Sequence, residues 1–413
     1  MPLVLRSTRF LSGERYRLLV DAESGLPIYY PNLYVTTQVR NHSQSVATME
    51  AALTALKHFH AYVEESVLEG RIRNRQFFTT EELDAIRDHC QRPSEAPEKY
   101  TALRPQGVLS LPGRPRRRVG KAYQYSRLST IATYFEWLVE MIHRSALTPA
   151  DREEAARVSN GLRKRRPRYR RQDQLDAEDK ALSEEASQLL REVIEPRHPL
   201  NPFTDPAVAE RNYLIVKLAA DLGVRSGELL GIRISDIDFR EFRLTVHRRA
   251  DDREDSRVNE PNAKTLARTL PVGEGFIQRI TTYVTGVRSK TPNAAGNAFL
   301  FVTHKPGPTQ GEPISKETLK QVFKRLGHVH PTLSGLHPHA LRHTWNHDCS
   351  KRIDEMPPER RPSEAEEEQM RNLLMGWKQG SGSAAIYNLR HIRRKADAAS
   401  LALQDELNDK RLE

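Results

Sequence analysis

Two cysteines in 413 residues, Cys90 and Cys349, are too few for a disulfide framework or a cysteine-built zinc site. They suit a reducing compartment. No apolar run approaches the roughly 18 residues that cross a bilayer, and the start MPLVLRSTRFLSGERY carries charge too early for a signal peptide. Membrane and secretory roles are therefore not expected. The chain also lacks the G-x-x-x-x-G-K-[ST] loop that cradles nucleotide phosphates and the H-E-x-x-H pair of zinc hydrolases. No internal repeat of solenoid period is present. Acidic residues are the minority, 54 against 65 Lys and Arg, for a net charge of +11. That balance suits a polyanionic partner, although a soluble basic protein of any kind could carry it.

The chain is long enough for two or three domains. Residues 1–42 alternate apolar and polar with Gly and Pro punctuation, and read as short strands or an extended arm. From about 44 the period becomes helical. Met49, Leu53, Leu56, Val63 and Val67 share a face after Ser43 as a possible cap, and a second helix begins near Thr80. Leu128, Ile131, Phe135, Leu138 and Ile142 form the stripe of a third. Residues 43–150 thus read as a helical domain, holding a basic loop that turns through Pro115 and carries Arg117, Arg118 and Lys121.

Between Arg163 and Arg171, seven of nine residues are basic: Arg163, Lys164, Arg165, Arg166, Arg168, Arg170 and Arg171. Such a run repels itself, so 151–174 reads as a basic linker that meets phosphates or is simply solvated. Residues 175–395 are mixed, with helices interrupted by FRLTVHRR and RTLPV, a small antiparallel sheet with a long turn. The tail 396–413 continues a helical stripe from Ile392 through Ala396, Ala399, Leu403 and Leu407, which docks on its own domain or on a neighbour.

Four stretches of the second half carry chemistry. In LAADLGVRSGELLGIRISDIDF, Arg225 lies at a glycine-flanked bend between two helices, which fixes an arginine without a flexible loop; a surface arginine is the plain alternative. In HPHALRHT, His339 and Arg342 share a helical face if Pro338 opens the helix, pairing an acid or base with a phosphate-binding fork. His339, His343 and His347 also run at i, i+4, i+8, as in metal-binding helices. With Arg342 among them and no neighbouring Glu, His337, His343 and His347 read better as structural, and no metal is expected. Lys264 in NAKTLARTLPV sits near a turn tip, either reaching outward to a function or solvated. Trp377 precedes GSAAIYNLR, where Tyr387 is one of thirteen tyrosines.

Taken in order, these stretches resemble the tyrosine recombinase or phage integrase family. VRSGELLGIRISDID is similar to the family's first-arginine box, with Arg225 and, beside it, Glu228; Lys264 resembles its β-hairpin lysine. HALRHT matches the H-x-x-R box through His339 and Arg342. Trp377 stands at the His-or-Trp position and Tyr387 at the nucleophile. The motifs cover about 175–395, and 44–150 resembles the helical core-binding domain by architecture alone. Three features depart from the pattern: Trp377 replaces the commoner histidine, the Trp-to-Tyr interval is one residue longer, and a charged segment within 354–370 reads as an insertion.

The resemblance implies a mainly α fold with a small antiparallel sheet, built as a helical core-binding domain and a mixed catalytic domain. It implies a site-specific recombinase or integrase that cleaves DNA through a 3′-phosphotyrosyl bond, without ATP, metal or other cofactor. Arg225, Lys264, His339, Arg342, Trp377 and Tyr387 would be catalytic, and Glu228 and His343 supporting. Partners would be double-stranded DNA with recombination sites and, on DNA, three further copies of the chain in a homotetramer; the basic loop and linker would help clamp the duplex. Such a protein acts in the cytoplasm at the nucleoid, typically moving a mobile element. The same chemistry would also serve a type IB topoisomerase, and the fold a non-catalytic DNA-binding protein.

Overall fold

The computed structural model describes residues 2–42, 45–93, 118–168, 180–261, 265–380 and 396–404. They form two compact units, Met1–Arg170 and Arg171–Glu413.

The first unit opens with a hairpin of β1 (Leu3–Arg9) and β2 (Arg15–Asp21), in register Leu3 to Asp21 through Arg9 to Arg15. Alternation along β2 turns Arg15, Arg17 and Leu19 inward. Leu19 joins the same core as Met49, so this segment packs as part of the unit instead of extending as an arm. Helix α1 (Tyr29–Tyr34) widens into π-helical turns over Val35–Arg40. Then follow α2 (Val46–His60), α3 (Glu65–Arg73), α4 (Thr80–Cys90), α5 (Lys121–His143) and α6 (Pro149–Lys164).

The expected stripes of α2 and α5 fill the core through Met49, Leu53, Leu56, Leu128, Ile131, Phe135 and Leu138. Val67 does not join them and is about half exposed, because the helix breaks after His60 and restarts with a new phase. The caps also differ from expectation. Ser45 caps α2, its hydroxyl accepting from the Thr48 N–H at 3.3 Å. Thr79, one residue before Thr80, caps α4 in a reciprocal box with Glu82. Ser43 lies outside the described residues.

The expected linker begins instead as helix. Thr148 and Asp151 cap α6 reciprocally, and Pro149 occupies its first turn, where a missing N–H costs nothing. The basic run is partly folded back. Arg163 pairs with Glu136 at 2.9 Å and Arg165 with Asp84 at 2.9 Å, while Arg166 stacks 4.6 Å above the Tyr125 ring. Local carboxylates on α4 and α5 neutralise charges that the sequence alone shows only as repulsive.

The second unit contains α7 (Glu184–Val193), α8 (Pro206–Leu222), α9 (Ser226–Gly231), β3 (Ile237–Asp238), β4 (Arg243–Val246), β5 (Arg268–Pro271), α10 (Glu274–Thr282), α11 (Lys316–Gly327), α12 (Pro338–Asp354) and α13 (Glu364–Met375). The strands form the expected small antiparallel sheet in the order β3-β4-β5, with Leu244 opposite both Ile237 and Leu270. Its apolar face joins a core with Leu214 and Leu218 of α8, Leu229 and Leu230 of α9 and Phe323 of α11. The charged segment expected as an insertion resolves into a short 3₁₀ turn, Pro358–Arg360, followed by α13, capped by Ser363 and Glu366. Within its acidic run, Glu367 is buried against Arg371 at 2.6 Å. Residues 396–404 include a further helical stretch. Among the described residues no helix is long and apolar enough to cross a membrane.

Candidate active site

Helix α8 ends on Gly223, whose left-handed backbone (φ +59°) is the C-cap that turns the chain sharply. Val224 drops into the core and Arg225 becomes the first flank of α9, so the bend read from the sequence is there. The Glu228 carboxylate reaches back to accept the Arg225 backbone N–H at 2.9 Å. It also lies 3.6 Å from the Arg225 guanidinium, which remains about one-third exposed. The backbone of Arg225 is therefore held while its side chain still faces solvent.

Glu228 itself is buried, and it accepts from Arg268 Nη2 at 2.8 Å and from the Thr265 hydroxyl. Burial alone would push its pKa up. The hydrogen bond and charge of Arg268, with the Thr265 and Arg225 donors, more than offset this and hold it below the ordinary value. Arg268 does not appear among the expected site residues. The available signal was strand alternation, which puts Arg268 on the same inward face as Leu270.

Pro338 opens α12 as expected, and the His337 ring caps it, Nδ1 accepting the Ala340 N–H at 3.0 Å. Arg342, one turn on, is buried, and its two Nη groups donate in different directions. Nη1 donates to the Gly223 carbonyl at 2.7 Å and Nη2 to the Met375 carbonyl at 3.1 Å. Its guanidinium lies 5.3 Å from the centre of the Trp377 ring. One arginine thus ties the bend before Arg225 to the end of α13 just before Trp377. Trp377 is itself buried and packs with Met375, Trp345 and Leu374.

His339 is exposed on the same helix. Partial desolvation by its neighbours lowers its pKa first, and the charges of Arg342, Arg225, His337 and Lys180 lower it further. The lowered pKa favours the neutral imidazole, the form that can take a proton. His343 meets it edge to face at 4.5 Å, and burial drives the His343 pKa down to about 4. His347 turns instead toward Asp348, 3.5 Å away.

The structure therefore brings Arg225, Glu228, His339, Arg342, His343 and Trp377 to one corner of the second unit. Lys264 and Tyr387 lie outside the described residues; Thr265, which follows Lys264, is buried at this corner. Beside it runs a groove of about 570 Å³ whose walls include Ser226, Lys320, Phe323, Lys324 and His337. Of the expected DNA contacts, Arg118, Lys121, Lys164 and Arg168 are exposed on the first unit. Arg163, Arg165 and Arg166 are engaged as described above, and Arg117, Arg170 and Arg171 lie outside the described residues, as does the turn at Pro115.

Two arginines, a histidine and an indole thus gather at one corner of a helical unit with a small three-stranded sheet. Residues 182–352 match the model of the phage integrase family. The tyrosine recombinase XerC of Staphylococcus epidermidis is 27% identical over 140 residues, which are 33% of this chain and 38% of that protein. The type 1 fimbriae regulatory protein FimB of Escherichia coli K12 is 26% identical over 136 residues, 33% of this chain and 58% of FimB. The chain thus matches about two-fifths to three-fifths of the length of these relatives. The crystal structure of the XerH site-specific recombinase bound to difH substrate, a pre-cleavage complex, aligns with a TM-score of 0.51 at 14% identity, over 89% of this chain and 87% of that one. Over residues 182–352 the chain is thus similar to the phage integrase, or tyrosine recombinase, family.

Proposed function

We propose that the protein is a site-specific DNA recombinase that cuts and rejoins strands through a covalent bond to Tyr387. The observation that carries this reading is the Arg342 guanidinium, which bridges the carbonyls of Gly223 and Met375. Those carbonyls lie two residues before Arg225 and two before Trp377, and Arg342 shares its helix with His339.

The chemistry follows from what a phosphodiester demands. Its negative charge repels a nucleophile, and the charge on the non-bridging oxygens grows in the transition state. Arg225, whose guanidinium is partly exposed, answers both needs by donating to such oxygens, and buried Arg342, engaged on two carbonyls, adds a fixed positive charge behind it. The Tyr387 oxygen bonds to phosphorus as the bond to the 5′-oxygen breaks. His339 takes the tyrosine proton, and Lys264 gives one to the leaving oxygen. Trp377 packs against Arg342 and holds that corner.

The products are a 3′-phosphotyrosyl ester and a 5′-hydroxyl. Attack by a second 5′-hydroxyl reverses every step, so the scheme calls on neither ATP nor a metal. Exchange between two duplexes needs four active sites, hence a homotetramer on DNA. Exposed Lys164, Arg168, Arg118 and Lys121, with Lys320 and Lys324 beside the site, supply phosphate contacts. The substrate is double-stranded DNA carrying recombination sites of a mobile element, handled in the cytoplasm at the nucleoid.

The test is a duplex nicked opposite each candidate cleavage position, which traps the adduct because the short cleaved strand diffuses away. Wild-type protein is expected to give a complex resistant to denaturant in the presence of EDTA, and Tyr387→Phe none. An adduct that persists in Tyr387→Phe, or that requires a divalent metal, contradicts the reading.

A further inference from the structure

The last carbonyls of a helix have no partner within it and must be satisfied from outside. At α13 three successive ones are taken by other segments. Leu374 O accepts from Arg268 Nε at 2.6 Å, Met375 O from Arg342 Nη2 at 3.1 Å, and Gly376 O from the Leu266 backbone N–H at 3.0 Å. The first and third come from the segment that follows Lys264, the second from the H-x-x-R helix.

Arg268 does more than cap. Its Nη2 donates to Glu228 at 2.8 Å, and Glu228 accepts the backbone N–H of Arg225 at 2.9 Å. Its Nη1 donates to the Thr265 hydroxyl at 3.2 Å, and that hydroxyl donates to Glu228. The side chains of Arg268 and Glu228 are 5% and 0% exposed, so the pair is shielded from competing water. Only a planar fork can address Leu374 O, Thr265 and Glu228 at once.

We infer that Arg268, with Glu228, is a positioning residue for strand cleavage: it latches the C-terminus of α13, and so Trp377, to the backbone of Arg225 and to the residue beside Lys264. Arg268 acts through these groups and does not touch DNA. The inference rests on the function proposed above, but its structural half can be measured without DNA.

Two variants test it. Arg268→Lys keeps the charge and removes the fork. Glu228→Gln with Arg268→Met removes both charges together, so that neither is left buried alone. The three tryptophans, Trp137, Trp345 and Trp377, are labelled with 5-fluorotryptophan, and Trp377 is assigned by Trp377→Phe. In both variants the Trp377 fluorine resonance is expected to shift and broaden, while the helical circular dichroism and the melting transition stay cooperative. Adduct formation on nicked DNA is expected to slow by roughly 10²-fold, the scale for a catalytic group displaced by about 1 Å. DNA affinity, set by phosphate contacts elsewhere, should stay within about threefold.

A Trp377 resonance and adduct rate like wild type in Arg268→Lys would overturn the inference, since charge alone would then suffice. Loss of the cooperative transition in both variants would overturn it too, because the pair would be a general support of the fold. If wild-type protein forms no adduct on any nicked duplex, the proposed function fails, while the fluorine spectra still decide whether the latch exists.

Discussion

Gly376 is a position at this corner where a single added methyl group should do heavy damage. It caps α13 in the left-handed region, φ +65°. A Cβ there would lie 2.8 Å from Arg268 Nη1, 2.8 Å from Leu266 O and 2.9 Å from Thr265 Cβ. Two of these are a backbone atom and a buried side-chain carbon, neither of which can swing away. Holding alanine in the left-handed region costs about 1–2 kcal/mol, and forcing an extra carbon into a packed site about 1–3 kcal/mol more. Gly376→Ala should therefore lower the stability of the second unit by about 2–5 kcal/mol, by adding those two terms.

Gly335 provides the control. Its backbone is also left-handed (φ +78°), but a Cβ there meets nothing within 4 Å. Gly335→Ala should therefore show the conformational cost alone, about 1–2 kcal/mol. Urea unfolding followed by circular dichroism measures both. The adduct rate at saturating DNA should fall in Gly376→Ala and stay near wild type in Gly335→Ala. Equal destabilisation by the two substitutions would refute the claim that α13 ends against the segment after Lys264.

Further outcomes follow from other groups. In DNA-free protein, His339 should titrate below its ordinary value of 6.5, because desolvation and then Arg342 and Arg225 disfavour the imidazolium; an NMR titration of its ring protons at or above 6.5 would contradict this. His58, His60, His304 and His343 all have folded pKa values of about 4. The unfolded chain then binds more protons between about pH 6.5 and 4, so stability should be full above that window and decline as pH falls through it, read as the melting temperature against pH. Arg371→Met leaves buried Glu367 without its partner and should cost about 3–5 kcal/mol, whereas the double change with Glu367→Gln should recover most of the loss. Urea midpoints that do not recover would show that Arg371 matters through its bonds to Asn346 and Ser350.

Much of the site was legible before the structure, and the reason is local. Arg225 at a glycine bend, His339 and Arg342 on a helix opened by Pro338, and the sheet formed by FRLTV and RTLPV each follow from short-range rules of backbone geometry and period. Arg268 was missed because its role is defined by Glu228 and Leu374, 40 and 106 residues away. A charged residue on a strand's inward face signals a buried partner, but not which one. The basic run at 163–171 misled for the opposite reason. Its like charges repel along the chain, yet Glu136 and Asp84 arrive from other helices to neutralise two of them. The charged segment after α12 likewise hides a buried pair, Glu367 and Arg371, whose spacing of four is visible in sequence but whose burial is not.

The most direct test identifies the bond itself. The trapped complex would be digested with nuclease and then protease, and the nucleotide-linked peptide sequenced by mass spectrometry. The account predicts a peptide containing Tyr387, its oxygen joined to a 3′-phosphate, with a free 5′-hydroxyl on the other DNA end. Linkage through any other residue, or to a 5′-phosphate, would contradict it.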